Sequence, residues 1–179
     1  MKVLVVYYSE TGNTEKIAKA IHEVASQNHE SYLKRLNKVK VEDLINSDLV
    51  FLGSACHSSN LAKPILRILK KIPKSPNFTL AGFYTHSTDP PEKNKSLFEK
   101  WAGECSKTFE KLEREKEINF KGCFRCQGVP SPPIEIFIHE TIVTDDEEWV
   151  EYLEEVKKHP NKLDLENAKK FAQDILNQC

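Results

Sequence analysis

The stretch that most constrains the fold is the turn at residues 9–14, Ser-Glu-Thr-Gly-Asn-Thr, which follows an apolar run at residues 3–8. After it, small and apolar residues recur in steps of three and four: Ile17, Ala18, Ile21, Val24 and Ala25. This pattern predicts a buried strand, a tight turn and an amphipathic helix. The free N–H groups at the start of such a helix favour an anion, and Gly12 allows a close backbone approach. We therefore expect a phosphate site at this turn.

The turn contains no Lys or Arg, so dipoles and hydroxyl groups alone would hold the anion. This suits a singly esterified phosphate better than a triphosphate with its metal. A Walker loop would need Gly-Lys-Ser/Thr, and a dinucleotide fingerprint would need three spaced glycines where only Gly12 is present. A phospho-acceptor domain would carry acidic residues where Tyr7 and Tyr8 stand.

The apolar strand followed by Ser9-Glu10-Thr11-Gly12-Asn13-Thr14 resembles the flavodoxin family, whose first loop reads Thr/Ser-x-Thr-Gly-Asn-Thr and holds the phosphate of FMN. The resemblance extends over essentially the whole chain. It implies that FMN is the cofactor and that these six residues hold its phosphate, with Glu10 contributing its backbone. An ordinary capped helix after a strand is the alternative.

Strands that alternate with helices along the chain predict an α/β fold. Together with the resemblance, they indicate a single domain over residues 1–179, with a flavodoxin-like, doubly wound, five-stranded parallel sheet and helices on both faces. Strands are predicted at residues 2–8, 32–36, 49–53 and 78–85, with a split fifth strand at 119–124 and 134–139. Helices are predicted at residues 14–27, 41–46, 64–71, 93–116 and 147–158, with a last helix capped by Asp164.

In the flavodoxin-like order, the loops after strands one, three and four meet at the carboxyl edge of the sheet. The resemblance implies that the flavin ring lies beside Ser54, Ala55, Cys56 and His57 after strand three, and beside Thr85, His86 and Ser87 after strand four. Neither loop holds the usual aromatic residue, so His57 and His86 are candidates for ring stacking, and ordinary surface roles are the alternative. No cysteine or carboxylate cluster with zinc spacing accompanies them, so we expect no metal site.

Cys123-Phe124-Arg125-Cys126 is a second motif with possible redox chemistry. A Cys-x-x-Cys pair can cycle between dithiol and disulfide, and Arg125 would lower the pKa of a neighbouring thiol. We therefore consider Cys123 and Cys126 as a candidate redox pair near the flavin, with inert thiols as the alternative. The chain has five cysteines, an odd number that does not suggest a disulfide framework.

Composition narrows the function classes. The net charge of −1 gives no case for general nucleic-acid binding. No apolar run reaches the length of a membrane span, and Met1-Lys2 leads directly into the first predicted strand without a signal peptide, so a cytoplasmic location is expected.

The resemblance implies a flavodoxin-like electron-transfer protein whose partner is a redox protein or a small-molecule electron acceptor. Two alternatives stay open. One is an FMN-dependent NAD(P)H oxidoreductase that reduces a quinone, a flavin or a disulfide. The other is an interaction module of the same fold that binds FMN weakly.

Overall fold

The computed structural model describes residues 1–179 and contains six strands and eight α-helices. The strands are β1 (Lys2–Tyr7), β2 (Glu30–Arg35), β3 (Leu49–His57), β4 (Asn60–Leu61), β5 (Thr79–His86) and β6 (Asn119–Gln127). The helices are α1 (Asn13–Asn28), α2 (Val41–Ile45), α3 (Lys63–Lys71), α4 (Pro91–Trp101), α5 (Gly103–Lys116), α6 (Pro132–Thr141), α7 (Asp146–Val156) and α8 (Lys162–Leu176). None of the helices is both long and apolar enough to cross a membrane.

The sheet has the strand order β2-β1-β3-β5-β6, and all of these neighbours are parallel. Short β4 pairs with the end of β3 in the antiparallel direction. Strand β1 is buried on both faces, as its continuous apolar run predicts for a central parallel strand. The predicted five-stranded parallel sheet is confirmed, with β4 as an addition.

Each face of the sheet carries its own hydrophobic core. On one face, Ile17 and Ile21 of α1 pack with Ala168 and Ala172 of α8. On the other face, α3 and α5 contribute the residues Ile65, Leu69, Phe109 and Leu112. The amphipathic stripes of these helices therefore cover both faces of the sheet, as predicted.

The fifth parallel strand is continuous, and the prediction of a split strand is wrong. Residues 134–139, predicted as its second half, belong to α6. Prolines at the first two positions of α6 favour a helix start, because proline lacks the backbone N–H that would have no partner in the first turn. Ile134 and Ile138 are four residues apart, so this run has helical as well as alternating spacing.

Three further boundaries differ from the prediction. The helix expected over residues 93–116 breaks at Ala102, whose φ of −144° is not helical. Strand β3 continues to His57 because it pairs with β4. Asn161, not Asp164, caps α8, while Asp164 accepts a hydrogen bond from the Asn161 N–H to complete a capping box.

Candidate functional site

A cleft of about 980 Å³ opens at the carboxyl edge of the sheet, beside the ends of β1, β3 and β5. Helix α6 and the end of α4 border its other side. Nine of the thirteen residues predicted to bind the cofactor line it: Glu10, Thr11, Asn13, Ala55, Cys56, His57, Thr85, His86 and Ser87. The other four, Ser9, Gly12, Thr14 and Ser54, lie beside the cleft without lining it.

The 9–14 loop presents an open helix N-terminus. Gly12 precedes α1 with a φ of +89°, a conformation that glycine adopts without steric cost. No side chain caps α1, so its first-turn N–H groups are available to an anion. The hydroxyl oxygen of Ser9 instead accepts a hydrogen bond from the Gly12 N–H at 3.1 Å and holds the turn.

Asn13 and Thr14 hold this loop in place through their side chains. The Asn13 amide donates to Thr11 Oγ1 at 2.8 Å and to the Val129 carbonyl at 2.7 Å. Thr14 Oγ1 lies 2.9 Å from Thr85 Oγ1, and both threonines are buried. The exposed Thr11 hydroxyl only accepts in this network, so its proton stays free for a ligand.

Arg35 is a neighbour of the 9–14 loop that the sequence analysis missed. Its Nη2 donates to the Ser9 carbonyl at 2.7 Å from the end of β2. The sequence contains a signal for this contact, since a residue ending the strand beside β1 lies at the same edge as the loop. A positive charge therefore stands beside the proposed phosphate site, although the loop itself has none.

The β3–β4 hairpin forms one wall of the cleft. Its turn residues Ser58 and Ser59 have positive φ values of 49° and 71°, and the hairpin presents Ala55, Cys56 and His57 to the cleft. Ser54 is fully buried instead, and its hydroxyl accepts from the Ala62 N–H at 2.9 Å. Its role is to join β3 to the start of α3.

Glu10 connects the 9–14 loop to this hairpin. Its carboxylate lies 3.0 Å from Nε2 of His57 and accepts from the Tyr8 hydroxyl at 2.7 Å. The hydrogen bond to the carboxylate raises the pKa of Tyr8, because it stabilises the protonated phenol. The side chain of Glu10, and not only its backbone, thus contributes to the shape of the site.

Residues 85–87, at the end of β5, are held by buried contacts. Burial lowers the pKa of His86 to about 4, so its imidazole is neutral at neutral pH. Its Nδ1 lies 3.1 Å from the Thr88 carbonyl, and its ring meets Phe98 edge-on. The Ser87 hydroxyl donates to the Gly128 carbonyl at 2.9 Å, which ties this segment to the chain that leads into α6.

Aromatic residues reach the cleft from outside the two predicted loops. Tyr8, Trp101 and Phe137 all line it, and the rings of Trp101 and Phe137 meet edge-on with centroids 5.5 Å apart. From the sequence, Trp101 was expected within a continuous helix over residues 93–116 and Phe137 within a strand. Their arrangement depends on the break at Ala102 and on the packing of α6, which the local sequence pattern does not reveal.

Two buried polar atoms in the cleft-lining residues have no hydrogen-bond partner: Thr88 Oγ1 and Trp101 Nε1. Buried polar atoms in folded proteins are nearly always paired. Both atoms belong to residues that line the cleft, and they are exceptions to this rule.

Cys123 and Cys126 do not line the cleft. Cys123 packs against the core on the α5 face of the sheet, whereas Cys126 belongs to the core on the α1 face. Residues three apart in a strand point to opposite faces, and burial raises the pKa of both thiols. This placement argues against a redox pair. No group of three or more His, Cys, Asp or Glu side chains is arranged to hold a metal ion.

Comparisons with known proteins agree with this architecture. The family model described as a flavodoxin domain matches residues 4–173. An uncharacterized protein of Methanocaldococcus jannaschii is 31% identical over 182 residues, which cover 98% of this chain and 99% of that protein.

Solved flavodoxin structures share the fold at low sequence identity. A flavodoxin of Streptococcus pneumoniae superposes with a TM-score of 0.66 at 12% identity, over 100% of both chains. Oxidised flavodoxin 2 of Bacillus cereus gives a TM-score of 0.65 at 18% identity, also over 100% of both chains. A flavodoxin from the domain Archaea gives 0.63 at 18% identity, over 99% of this chain and 98% of that one. With the family model matched over nearly its whole length, this chain belongs to the flavodoxin family.

Proposed function

We propose that the protein binds FMN in this cleft and acts as an electron-transfer protein. The observation that carries the proposal is the uncapped N-terminus of α1, where Thr11 and Asn13 line the same cleft as the two segments expected to flank a flavin ring. A helix N-terminus of this kind binds phosphate through its N–H groups and its dipole.

The donors at the 9–14 loop suit a phosphate monoester. They are the first-turn N–H groups of α1 and the free hydroxyl proton of Thr11, with the guanidinium of Arg35 nearby. Apart from one arginine, these groups are neutral donors. Such a donor set suits an anion of modest charge that carries no metal. The Glu10 carboxylate accepts from the Tyr8 hydroxyl and faces His57 Nε2, so it does not compete with a ligand for the N–H groups of the loop.

The rest of the cleft suits a flat ring with polar edges. Its walls combine Ala55, Cys56 and His57 with Thr85 and the aromatic Tyr8. When bound, the flavin would supply the redox chemistry, and the chain would bind it, orient it and limit its contact with water.

The experiment that tests this proposal is an anaerobic spectroelectrochemical titration of the purified protein, with the released cofactor identified by mass spectrometry. An electron carrier is expected to hold FMN and to take up its electrons in two separated one-electron steps. A protein that remains colourless after incubation with FMN would contradict the proposal and favour the interaction module.

A second candidate function is an FMN-dependent oxidoreductase that acts on a small molecule. Helix α6 favours it, because this helix borders the cleft with Ile134 and Phe137 and narrows the approach of a protein partner. In the same titration, a single two-electron step would support this reductase over the carrier.

A further inference from the structure

The cleft extends beyond the segments that would hold FMN. The lining outside those segments, here called the outer chamber, includes Pro64, Leu66, Arg67, Trp101, Ile134 and Phe137. None of these residues belongs to the 9–14 loop, the β3–β4 hairpin or residues 85–87 at the end of β5. We propose that the outer chamber is a second ligand site for a planar, largely apolar ring compound that carries an anionic group; the inference rests on the proposed FMN site beside it.

The cleft is as large as the largest pockets that ordinarily hold one ligand, so its lining, and not its volume, points to a second ligand. Pockets that hold one small molecule or cofactor commonly measure roughly 300–1,000 Å³. This cleft, at about 980 Å³, lies at the upper end of that range.

The walls of the outer chamber are apolar and partly open. Ile134 and Phe137 remain 46% and 39% exposed, although they lie on a helix whose Ile138 is buried in a small core with Tyr152. The edge-on contact between Trp101 and Phe137 forms an aromatic wall. Flat rings pack well against such pairs, so the proposed ligand has a planar, apolar part.

The positive charge at the rim of the chamber favours an anionic ligand. Lys63 and Arg67 lie one turn apart on α3, are exposed, line the cleft and form no ion pair. The two acidic residues of the lining, Glu10 and Asp89, already contact His57 and Lys93. The two free cations therefore have no partner within the cleft.

The attachment of α6 favours a small molecule over a protein as the occupant. The Tyr152 hydroxyl donates to the Ser87 carbonyl at 2.5 Å, and Asn13 donates to Val129 just before α6. These bonds hold the segment with α6 and α7 against the edge of the sheet. A compound that enters between α3 and α6 fits this geometry.

The test uses the FMN-loaded protein and anthraquinone-2-sulfonate, a planar quinone with one negative charge. Isothermal titration calorimetry measures its binding, and flavin absorbance after gel filtration measures whether FMN is retained. We expect one molecule to bind per protein without displacement of FMN, and the uncharged 2-(hydroxymethyl)anthraquinone to bind more weakly.

Two variants with matched controls locate the site. Arg67→Ala should raise the Kd on the order of tenfold, the loss expected for one charge-assisted contact, while Lys70→Ala on the same helix outside the cleft should not. Phe137→Ala should weaken binding, while Ile136→Ala, its exposed neighbour outside the cleft, should leave it unchanged. Because Arg67 is exposed, Arg67→Ala should fold, and it keeps the test valid if Phe137→Ala does not.

One-for-one displacement of FMN by the quinone, or equal affinity in all four variants, would overturn the inference. Failure of FMN binding is recorded separately by the flavin absorbance and would count against the proposed function. In that case the flavin-free protein is titrated: binding that needs Arg67 and Phe137 supports the chamber, and no binding overturns it.

Discussion

The hydroxyl oxygens of Thr14 and Thr85 lie 2.9 Å apart, in a hydrogen bond between two buried side chains. Thr14 stands in the first turn of α1, and Thr85 stands at the end of β5. The bond therefore joins the proposed phosphate-binding segment to a proposed ring-flanking segment.

Replacement of Thr85 by Val should leave the Thr14 hydroxyl buried and unpaired. We expect the free energy of unfolding to fall by about 1–3 kcal/mol, the usual cost of such a group. The double variant Thr14→Val/Thr85→Val should lose less than the sum of the single losses, because neither hydroxyl is left alone. Urea unfolding of the wild type, Thr14→Val, Thr85→Val and the double variant measures these losses. Exposed Thr141→Val serves as the control with a change within about 0.5 kcal/mol, and additive losses would contradict the prediction.

His86 should make the stability depend on pH. Its folded-state pKa is about 4 because of burial, below the ordinary value of 6.5, so between these values the unfolded chain binds a proton that the folded chain does not. The contribution of neutral His86 to the free energy of unfolding is thus fully present above pH 6.5. It is lost as the pH falls toward 4, by up to about 3 kcal/mol. Urea unfolding at several pH values measures the slope.

The control for this slope is another histidine. His86→Gln should flatten the dependence between pH 6.5 and 4, whereas His29→Gln, far from the cleft, should retain it. An equal slope in the wild type and in His86→Gln would show that other groups cause the pH dependence.

Gly12 and Gly122 provide a matched pair of glycine substitutions. Both have positive φ, +89° and +108°, and at both a Cβ would meet nothing within 4 Å. Alanine at either position should therefore cost about 1–2 kcal/mol of stability for its left-handed backbone. Only Gly12→Ala should also weaken FMN binding, because Gly122 lies in β6 away from the cleft. Fluorescence titration with FMN distinguishes the two, and equal affinities would contradict the role given to Gly12.

Cys123 and Cys126 should remain separate thiols under mild oxidation. Their opposite positions in the sheet forbid a bond without unfolding of β6, and burial disfavours both thiolates. In the folded protein, exposed Cys179 should react first with Ellman's reagent, and all five thiols should react after unfolding in urea. Detection of a peptide that links Cys123 to Cys126 after diamide treatment of the folded protein would overturn this.

Local sequence patterns predicted the parts of the structure that local physics determines. The run before residue 9, the turn and the stripe beginning at Ile17 define a strand, a loop and a helix without reference to the rest of the chain. The alternation of strands and helices along the chain predicted that helices cover both faces of the sheet.

The remainder depends on contacts between distant segments. Trp101 and Phe137 meet at the cleft only because the chain breaks at Ala102 and because α6 packs beside α4, and neither event has a local signal. The alternating Ile and Phe residues of α6 fit a strand as well as a helix. The Cys-x-x-Cys spacing fits a redox motif until the strand around it places the two thiols on opposite faces.

The measurement that tests the central claim most directly is a parallel titration of the flavin-free protein with FMN and with riboflavin, followed by flavin fluorescence. The two ligands differ only in the phosphate. If the open N-terminus of α1 binds that phosphate, FMN should bind with its fluorescence quenched, and riboflavin should bind on the order of a hundredfold more weakly, as expected for the loss of two charge-assisted hydrogen bonds. Equal affinities for the two ligands, or no binding of FMN, would contradict the account.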